Sequence, residues 1–328
     1  MRDPGRKSRH HIMRSLALAG IATLIACLPG LSAGRPVLLV YGFQPIPGFR
    51  ATQIWESMAE FLSGANIIDA QAMGVDAGHT MYFLPAGDEG KRDVYISDYA
   101  LALEPTARDI AFYAMRLARE TAIVAGRSPQ GRFDIVAHSI GGLIARTYIE
   151  SDDVASLVGT EEVPQFDAQY RGEIGTLITL ATPHHGLYFV GFGQWINTLG
   201  KQLTPESRFL EALNRDHVLD GRLLSLHPDV RYVSLAGQTC FGCGLRRDED
   251  VCIRDCVDAG LTWQGSDLVV LMASAFLPEA ENVACIGMDH VDMRTSPVVC
   301  DAIERILDGE EPPGAIYEDP TLQSEDTE

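Results

Sequence analysis

The sequence predicts an α/β fold with a mostly parallel central sheet that is flanked by helices on both faces. Short, continuous apolar runs alternate along the chain with longer stretches in which apolar residues recur at helical spacing. Continuous apolar runs are typical of strands buried on both faces, as in a parallel sheet covered by helices. The chain has 328 residues, 46% of them hydrophobic, which is enough for the large core that such a fold needs.

The first part of the chain begins with a buried strand, P-V-L-L-V-Y, that ends at Gly42. Two amphipathic stretches with apolar residues at helical spacing predict helices, and two short apolar runs between them predict strands. The predicted strands are 36–41, 81–84 and 94–96, and the predicted helices are 52–62 and 106–125.

The second part repeats the alternation of strand and helix. Residues 184–229 show several helical stretches and no strand pattern, so we interpret them as an inserted helical cap. Pro297 is well placed to begin the last helix, because the first position of a helix tolerates proline. The predicted strands are 132–138, 175–181, 231–237 and 268–272, and the predicted helices are 140–150 and 297–307.

The two ends of the chain differ in composition from this α/β domain, which we place at residues 34–307. Residues 1–33 combine five basic residues with an apolar segment too short to span a bilayer, which predicts a signal peptide and export as a secreted or periplasmic protein. Alternatively, Leu24-Ile25-Ala26-Cys27 resembles a lipobox, and Cys27 would then carry a lipid anchor. Residues 308–328 hold eight acidic residues, no basic ones and three prolines, which predicts an acidic disordered tail.

Charge and cysteine content exclude some classes of function. The net charge of −19 argues against nucleic-acid binding, which needs clustered Lys and Arg. Six cysteines follow Cys27, and in an exported chain they predict up to three disulfides. Four of them lie in a cysteine-rich loop at 240–256, where a zinc knuckle is the alternative. The sequence holds no cofactor motif, so no cofactor is expected, and it does not indicate an oligomeric state.

The segment around Ser139 carries the strongest chemical signal. An apolar strand pattern ends in Ala137-His138-Ser139-Ile140-Gly141, and a helical pattern follows at once. This is the G-x-S-x-G pattern of a nucleophile elbow, with Ala137 in place of the first glycine. Such a sharp turn needs small residues two positions before and after the serine. It also places the Ile140 amide at a helix N-terminus, where it can stabilise an oxyanion.

A serine hydroxyl needs a base and an acid to become a nucleophile, and after an elbow these follow in the order serine, acid, histidine. His290 lies in a short loop before the final helix, where the histidine is expected. His138, next to the serine, is expected to point elsewhere. Asp267 is the best candidate for the acid, and Asp255 and Asp258 are alternatives beside the cysteine-rich loop. A second oxyanion donor is expected from the Phe43 amide, after the first strand.

These segments together resemble the bacterial triacylglycerol lipases and esterases of the α/β-hydrolase superfamily. The resemblance covers roughly residues 35–307 and lies in the motifs V-L-L-V-Y-G, A-H-S-I-G-G, L-I-T-L-A-T-P-H-H-G, G-S-D and D-H. It implies a Ser139, Asp267, His290 triad and hydrolysis of carboxylic esters, chiefly lipid acyl esters. The family usually has His-Gly after the first strand, where this chain has Tyr41-Gly42, which could alter the loop. Some relatives bind a structural calcium ion, and Asp292 stands where one ligand would fall, but the other ligands are not evident, so we interpret Asp292 as an ordinary exposed aspartate.

The same triad also serves acyltransferases and thioesterases, so these stay open as alternatives, as does a non-catalytic binding protein on the same scaffold. Aromatic residues early in the cap are candidates for substrate binding and for contact with a lipid interface. They are Tyr188, Phe189, Phe192 and Trp195. The alternative is that they only pack the cap onto the core.

Overall fold

The structure is a computed structural model, and the residues it describes contain eleven strands and ten α-helices. Described are residues 34–42, 50–76, 79–98, 108–161, 163, 165–187, 198–215, 217–219, 222–224, 226–239 and 265–318. The strands are β1 (Val37–Val40), β2 (Gln71–Asp76), β3 (His79–Leu84), β4 (Val94–Asp98), β5 (Phe133–His138), β6 (Ile174–Leu180), β7 (His217–Leu219), β8 (Arg222–Leu224), β9 (Arg231–Gln238), β10 (Glu281–Ile286) and β11 (Ala315–Tyr317). The helices are α1 (Ala51–Ile54), α2 (Glu56–Ser63), α3 (Ile110–Arg127), α4 (Ile140–Ile149), α5 (Ser151–Val154), α6 (Thr198–Gln202), α7 (Arg208–Leu213), α8 (Met272–Ala275), α9 (Asp292–Thr295) and α10 (Pro297–Leu307).

Nine of the strands form one sheet in the order β11-β10-β9-β6-β5-β1-β4-β3-β2. All neighbouring strands are parallel except at the β2 end, where β2 pairs with β3 and β3 with β4 in antiparallel fashion. The mostly parallel sheet predicted from the sequence is confirmed. The carboxyl ends of its parallel strands lie at one edge, where functional groups of open α/β sheets collect.

Helices cover both faces of the sheet, and alternate residues of each central strand divide between two cores. In β1, Leu38 and Val40 belong to the core that contains residues of α3 and α4. Val37 and Leu39 belong to the opposite core, with residues of α2 and α10. This explains why the strand reads as one continuous apolar run, since neither face is exposed to water.

The final helix begins at Pro297 and ends at Leu307, as predicted from the sequence. The predicted helix 52–62 is divided at Trp55 into α1 and α2. The predicted strand 268–272 is wrong, because Leu268 has a left-handed backbone and Met272 begins α8. Two strands that the sequence did not indicate, β2 and β10, belong to the sheet.

The segment predicted as a helical cap contains the short helices α6 and α7, but also a hairpin of β7 and β8 that was not expected. The tail predicted as disordered from residue 308 is corrected in its first part, since β11 pairs with β10 at the sheet edge. Ile316 is buried there, and the burial of this apolar side chain stabilises β11 on the sheet, although β11 lies in an acidic segment. Residues 319–328 lie outside the described part of the chain.

Among the described residues, no helix is long and apolar enough to cross a membrane. Cys285 and Cys300 are buried free thiols, so the predicted three disulfides are reduced to at most two. Burial raises the pKa of the Cys300 thiol to about 12, which keeps it protonated. The four cysteines of the loop at 240–256 and the predicted signal peptide lie outside the described residues.

Candidate active site

Ser139 stands on a strained turn between β5 and α4. Its φ of 57° and ψ of −135° are unusual for a residue with a side chain. The turn is held because the Ser139 amide donates to the Leu180 carbonyl of the neighbouring strand at 2.9 Å. Backbone strain that the surroundings enforce in this way is typical of functional sites.

Glycines allow the chain to pass very close to this turn. A Cβ atom on Gly42 would lie 2.5 Å from the amide nitrogen of Ile140, and one on Gly141 would lie 2.5 Å from the Val40 carbonyl oxygen. The segment after β1 therefore crosses directly over the start of α4. It continues to Phe43, which lies outside the described residues, so the second oxyanion donor stays a prediction. The Ile140 amide lies at the N-terminus of α4, as the elbow requires.

Asp267 is buried, and each of its carboxylate oxygens has a separate task. Oδ1 accepts hydrogen bonds from the amides of Val269 at 2.9 Å and Val270 at 2.6 Å. These bonds close a tight turn in which Leu268 adopts a φ of 76°. Oδ2 lies 2.6 Å from Nδ1 of His290. The turn thus fixes the carboxylate in the orientation that the histidine needs.

His290 is held by Asp267 through its backbone as well as its ring. Its amide donates to the Asp267 carbonyl at 3.0 Å. The two loops can meet because Gly237 has no side chain: a Cβ atom there would lie 2.8 Å from Cβ of Asp267. Because Nδ1 of His290 faces the carboxylate, Nε2 is the ring nitrogen that this hydrogen bond leaves available.

His138 connects this pair to the elbow through its side chain, which contacts His290, a contact that was not expected from the sequence. Its Nε2 lies 2.8 Å from the carbonyl oxygen of His290, and the centroids of the two rings are 4.5 Å apart. His138 directly precedes Ser139 in the chain, so the loop that carries His290 contacts the residue next to the nucleophile candidate. The sequence contained no signal for it, because the bond joins residues 152 positions apart.

The chain is similar to known proteins in sequence and in fold. A family profile described as "Putative serine esterase (DUF676)" matches residues 84–206, which include the elbow. The mature form of the lipase BlEst2 from Bacillus licheniformis is 18% identical, with a TM-score of 0.51, over 84% of this chain and 92% of that chain. Its propeptide form is 19% identical, with a TM-score of 0.50, over 84% of this chain and 50% of that chain. No curated protein sequence matches the chain.

The chain has the α/β-hydrolase fold. At sequence identities of 18% and 19%, the structural similarity establishes the fold alone. The match to the family profile supports ester hydrolysis as the general class of activity. The resemblance noted from the motifs is confirmed at that level.

Within this fold, a buried polar network joins α4 to the cap. Arg146 on α4 forms a bidentate ion pair with Glu150 at 3.0 Å and 2.8 Å and donates to Asn214, which follows α7, at 2.8 Å. Asn214 donates in turn to the carbonyl of His184 at 2.9 Å. Loss of one partner of a buried ion pair leaves an uncompensated buried charge, which is energetically costly. The intact network therefore favours one orientation of the described part of the cap on α4, the helix that begins at the elbow.

His184 completes this network as a neutral ring. Nη1 of Arg146 approaches its Nδ1 at 3.3 Å, and its Nε2 lies 3.1 Å from the Thr179 hydroxyl. Since arginine only donates, Nδ1 accepts and Nε2 carries the proton. Burial, with a smaller contribution from Arg146, lowers the pKa of His184 well below its usual range. His184 thus takes part in this buried network as a neutral, hydrogen-bonded ring.

Several predicted site residues lie outside the described part of the chain, and their roles stay predictions. They are Phe43, Tyr188, Phe189, Phe192, Trp195 and the alternative acids Asp255 and Asp258. A role of Asp292 as a calcium ligand is also untested. In the structure, Oδ2 of Asp292 accepts a hydrogen bond from the Asp289 amide at 2.9 Å. The described residues hold no group of three or more His, Cys, Asp or Glu side chains suited to a metal ion.

Proposed function

We propose that this protein is a serine hydrolase that cleaves carboxylic esters through an acyl-enzyme. Ser139 is the nucleophile, His290 the general base and acid, and Asp267 the residue that orients the imidazole. The Ile140 amide, together with that of Phe43, stabilises the oxyanion. The observations that carry this proposal are the hydrogen bond of 2.6 Å between Asp267 and His290 and the strained backbone of Ser139 at a helix N-terminus.

The chemistry follows from which nitrogen of His290 is engaged. Asp267 accepts from Nδ1, so Nε2 takes the hydroxyl proton of Ser139 as its oxygen bonds to the ester carbonyl carbon. The carbonyl electron pair moves to the oxygen, where the Ile140 amide donates to it. Collapse of this intermediate breaks the bond to the alcohol, which leaves with the proton from His290. Water repeats the sequence on the acyl-enzyme and releases the acid.

Lipid acyl esters are the substrate class that we propose. The similarity to a lipase supports this choice. So do the aromatic residues predicted at the start of the cap, which would contact the acyl chain and a lipid interface. We further propose that the chain is exported, because of the pattern in residues 1–33; the N-terminal sequence of the protein after expression in a bacterium tests this. A start after Ala33 indicates secretion, a lipidated Cys27 indicates anchoring, and an intact N-terminus contradicts export.

The deciding experiment is hydrolysis of p-nitrophenyl esters from acetyl to palmitoyl by the wild type and by Ser139→Ala. We expect the variant to lose about 10⁴-fold or more in kcat, as happens when a triad nucleophile is removed. Ser63→Ala makes the same change at a buried serine of α2, whose hydroxyl interacts with Ala65, and serves as the matched control. Labelling by a fluorophosphonate, located by mass spectrometry, should fall on Ser139.

Each other outcome has a defined meaning. Full activity in Ser139→Ala contradicts the proposal. Serine-dependent transfer to an added alcohol or thiol that outpaces hydrolysis favours an acyltransferase. A wild type that neither turns over any ester nor reacts with the fluorophosphonate favours a non-catalytic scaffold.

A further inference from the structure

We infer that His138 is a positioning residue that holds His290 in the orientation needed by a general base. This inference rests on the function proposed above and extends it to a residue outside the triad. It is carried by the geometry around the ring of His138, which meets the candidate base on one side and the hydrophobic core on another.

His138 contacts His290 through both a hydrogen bond and its ring face. Nε2 of His138 lies 2.8 Å from the carbonyl oxygen of His290, and the ring centroids are 4.5 Å apart with the planes inclined by 50°. A carbonyl oxygen only accepts, so Nε2 of His138 must carry the proton. His290 is therefore held at its amide and Nδ1 by Asp267 and at its carbonyl by His138, so that its backbone and its ring are both restrained.

His138 is itself held in place. Its side chain is buried, and the ring of Trp55 packs against it in a T-shaped arrangement with centroids 6.4 Å apart. Trp55 is fully buried in the core on the α2 and α10 side of the sheet. A ring fixed on a strand and on a core tryptophan is a rigid support, whereas the loop that carries His290 is not a regular element.

The charge state of His138 suits this role. Burial, followed by the nearby His290 and Arg294, lowers the pKa of His138 well below its usual range, so the ring stays neutral. When His290 takes the proton of Ser139, the resulting imidazolium faces an uncharged ring. A protonated His138 at this distance would repel it and disfavour the transition state.

The test uses two variants that separate the hydrogen bond from the ring. His138→Phe keeps an aromatic ring but has no donor, whereas His138→Gln has an amide that reaches the position of Nε2 but has no ring. We expect His138→Phe to lower kcat about 10- to 100-fold with KM within about threefold, because a small misplacement of a catalytic group costs this much. We expect His138→Gln to recover kcat to within about threefold of the wild type.

The rates are expressed per active site, titrated with a fluorophosphonate, and compared with the melting temperature of each variant. A purely structural role would lower the titrated fraction and the melting temperature but leave kcat per site unchanged. The low-field proton resonance of the bond between His290 and Asp267 should shift or broaden in His138→Phe and return in His138→Gln. If the Phe variant does not fold, His138→Met replaces it, because methionine adapts to irregular cavities.

An apolar variant with wild-type kcat per site overturns the inference, and so does a Gln variant no better than Phe. The failure of the proposed function is distinguishable, because it would appear as full activity of Ser139→Ala in the same assay. A loss of activity in Ser139→Ala together with an unaffected His138→Phe leaves the hydrolase intact and removes only the role of His138.

Discussion

The two sides of the candidate site are built in different ways. The elbow side consists of residues 138–142, which are consecutive in the chain and run from the end of β5 through Ser139 into α4. The acid–histidine side consists of Asp267 and His290, which are 23 residues apart, come from two loops, and are joined by hydrogen bonds across the sheet edge. The elbow side depends on the absence of side chains, and the acid–histidine side on directed polar contacts. A local pattern therefore identifies the first, whereas the sequence only offers candidates for the second, and the assembled sheet shows which of them are in contact.

After Ser139→Ala, the largest effect is expected on the acid–histidine side, from Asp267→Asn. The asparagine oxygen can still accept the amides of Val269 and Val270, so the turn is retained. Its NH₂ group would then face Nδ1 of His290 and favour the wrong tautomer of the imidazole, which costs about 10⁴-fold in kcat in a comparable triad. Measurement of kcat with the preferred p-nitrophenyl ester checks this.

Asp258→Asn is the control for that variant, since Asp258 was the alternative acid. We expect its kcat to equal that of the wild type. A large loss in Asp258→Asn, with Asp267→Asn unaffected, would show that the bond seen between Asp267 and His290 is not the catalytic one.

A smaller effect is expected on the elbow side, from Gly42→Ala. The new methyl group would lie 2.5 Å from the amide nitrogen of Ile140, a backbone atom that cannot rotate away. The amide would be displaced or covered, and loss of one oxyanion donor typically costs about 10²- to 10³-fold in kcat. We also expect a lower melting temperature.

Gly126→Ala provides the matched control in α3, where a Cβ atom would meet nothing within 4 Å. This change should leave kcat unchanged and stabilise the protein by about 0.5–1 kcal/mol, because alanine favours a helix more than glycine. If Gly42→Ala were as active as Gly126→Ala, the close crossing of the β1 loop over the elbow would have no functional role.

The smallest effect is expected from His138, which joins the two sides of the site. It concerns the pH dependence of the free energy of unfolding. The pKa of His138 in the folded state lies well below that of an unfolded histidine, about 6.5. Below pH 6.5 the unfolded chain therefore binds a proton that the folded protein does not, and the free energy of unfolding falls as the pH falls. One such group contributes at most about 1.4 kcal/mol per pH unit.

Urea unfolding of the wild type and His138→Gln at pH 7.5, 6.5 and 5.5 measures this contribution. Buried carboxyls such as Glu120 and Asp134, whose pKa values are raised by burial, act in the opposite sense, and His184 acts in the same sense as His138. The difference between the two proteins cancels these groups. We expect the variant to lose less stability below pH 6.5, and parallel curves would contradict a neutral His138.

Sequence prediction succeeded where one local pattern was sufficient. The strands around β1, β5, β6 and β9 are buried on both faces, so each reads as a continuous apolar run, and α10 begins at its proline. It failed at 268–272, an apolar run that resembles a strand. There the Asp267 carboxylate binds the amides of Val269 and Val270, so these cannot take part in a sheet.

The missed elements depend on partners distant in sequence or on an unrecognised turn. β10 has only a short apolar run and becomes a strand by pairing with β9 and β11. The β7–β8 hairpin had a readable signal, since Asp220-Gly221 stands between its strands in the sequence. The helical prediction for this segment rests on its neighbours, whereas the Asp-Gly pair indicates the hairpin that the structure contains.

By itself, the sequence determined the alternation of strands and helices, the elbow at Ser139 and the need for glycine around it, because these follow from burial and from local steric limits. Only the tertiary structure shows that Asp267 contacts His290 and that the missing side chain of Gly237 permits this approach. It also shows that His138 contacts the candidate base. Hydrogen bonds between distant residues depend on the order of strands in the sheet. No local pattern encodes that order, since it arises only when the whole core is packed.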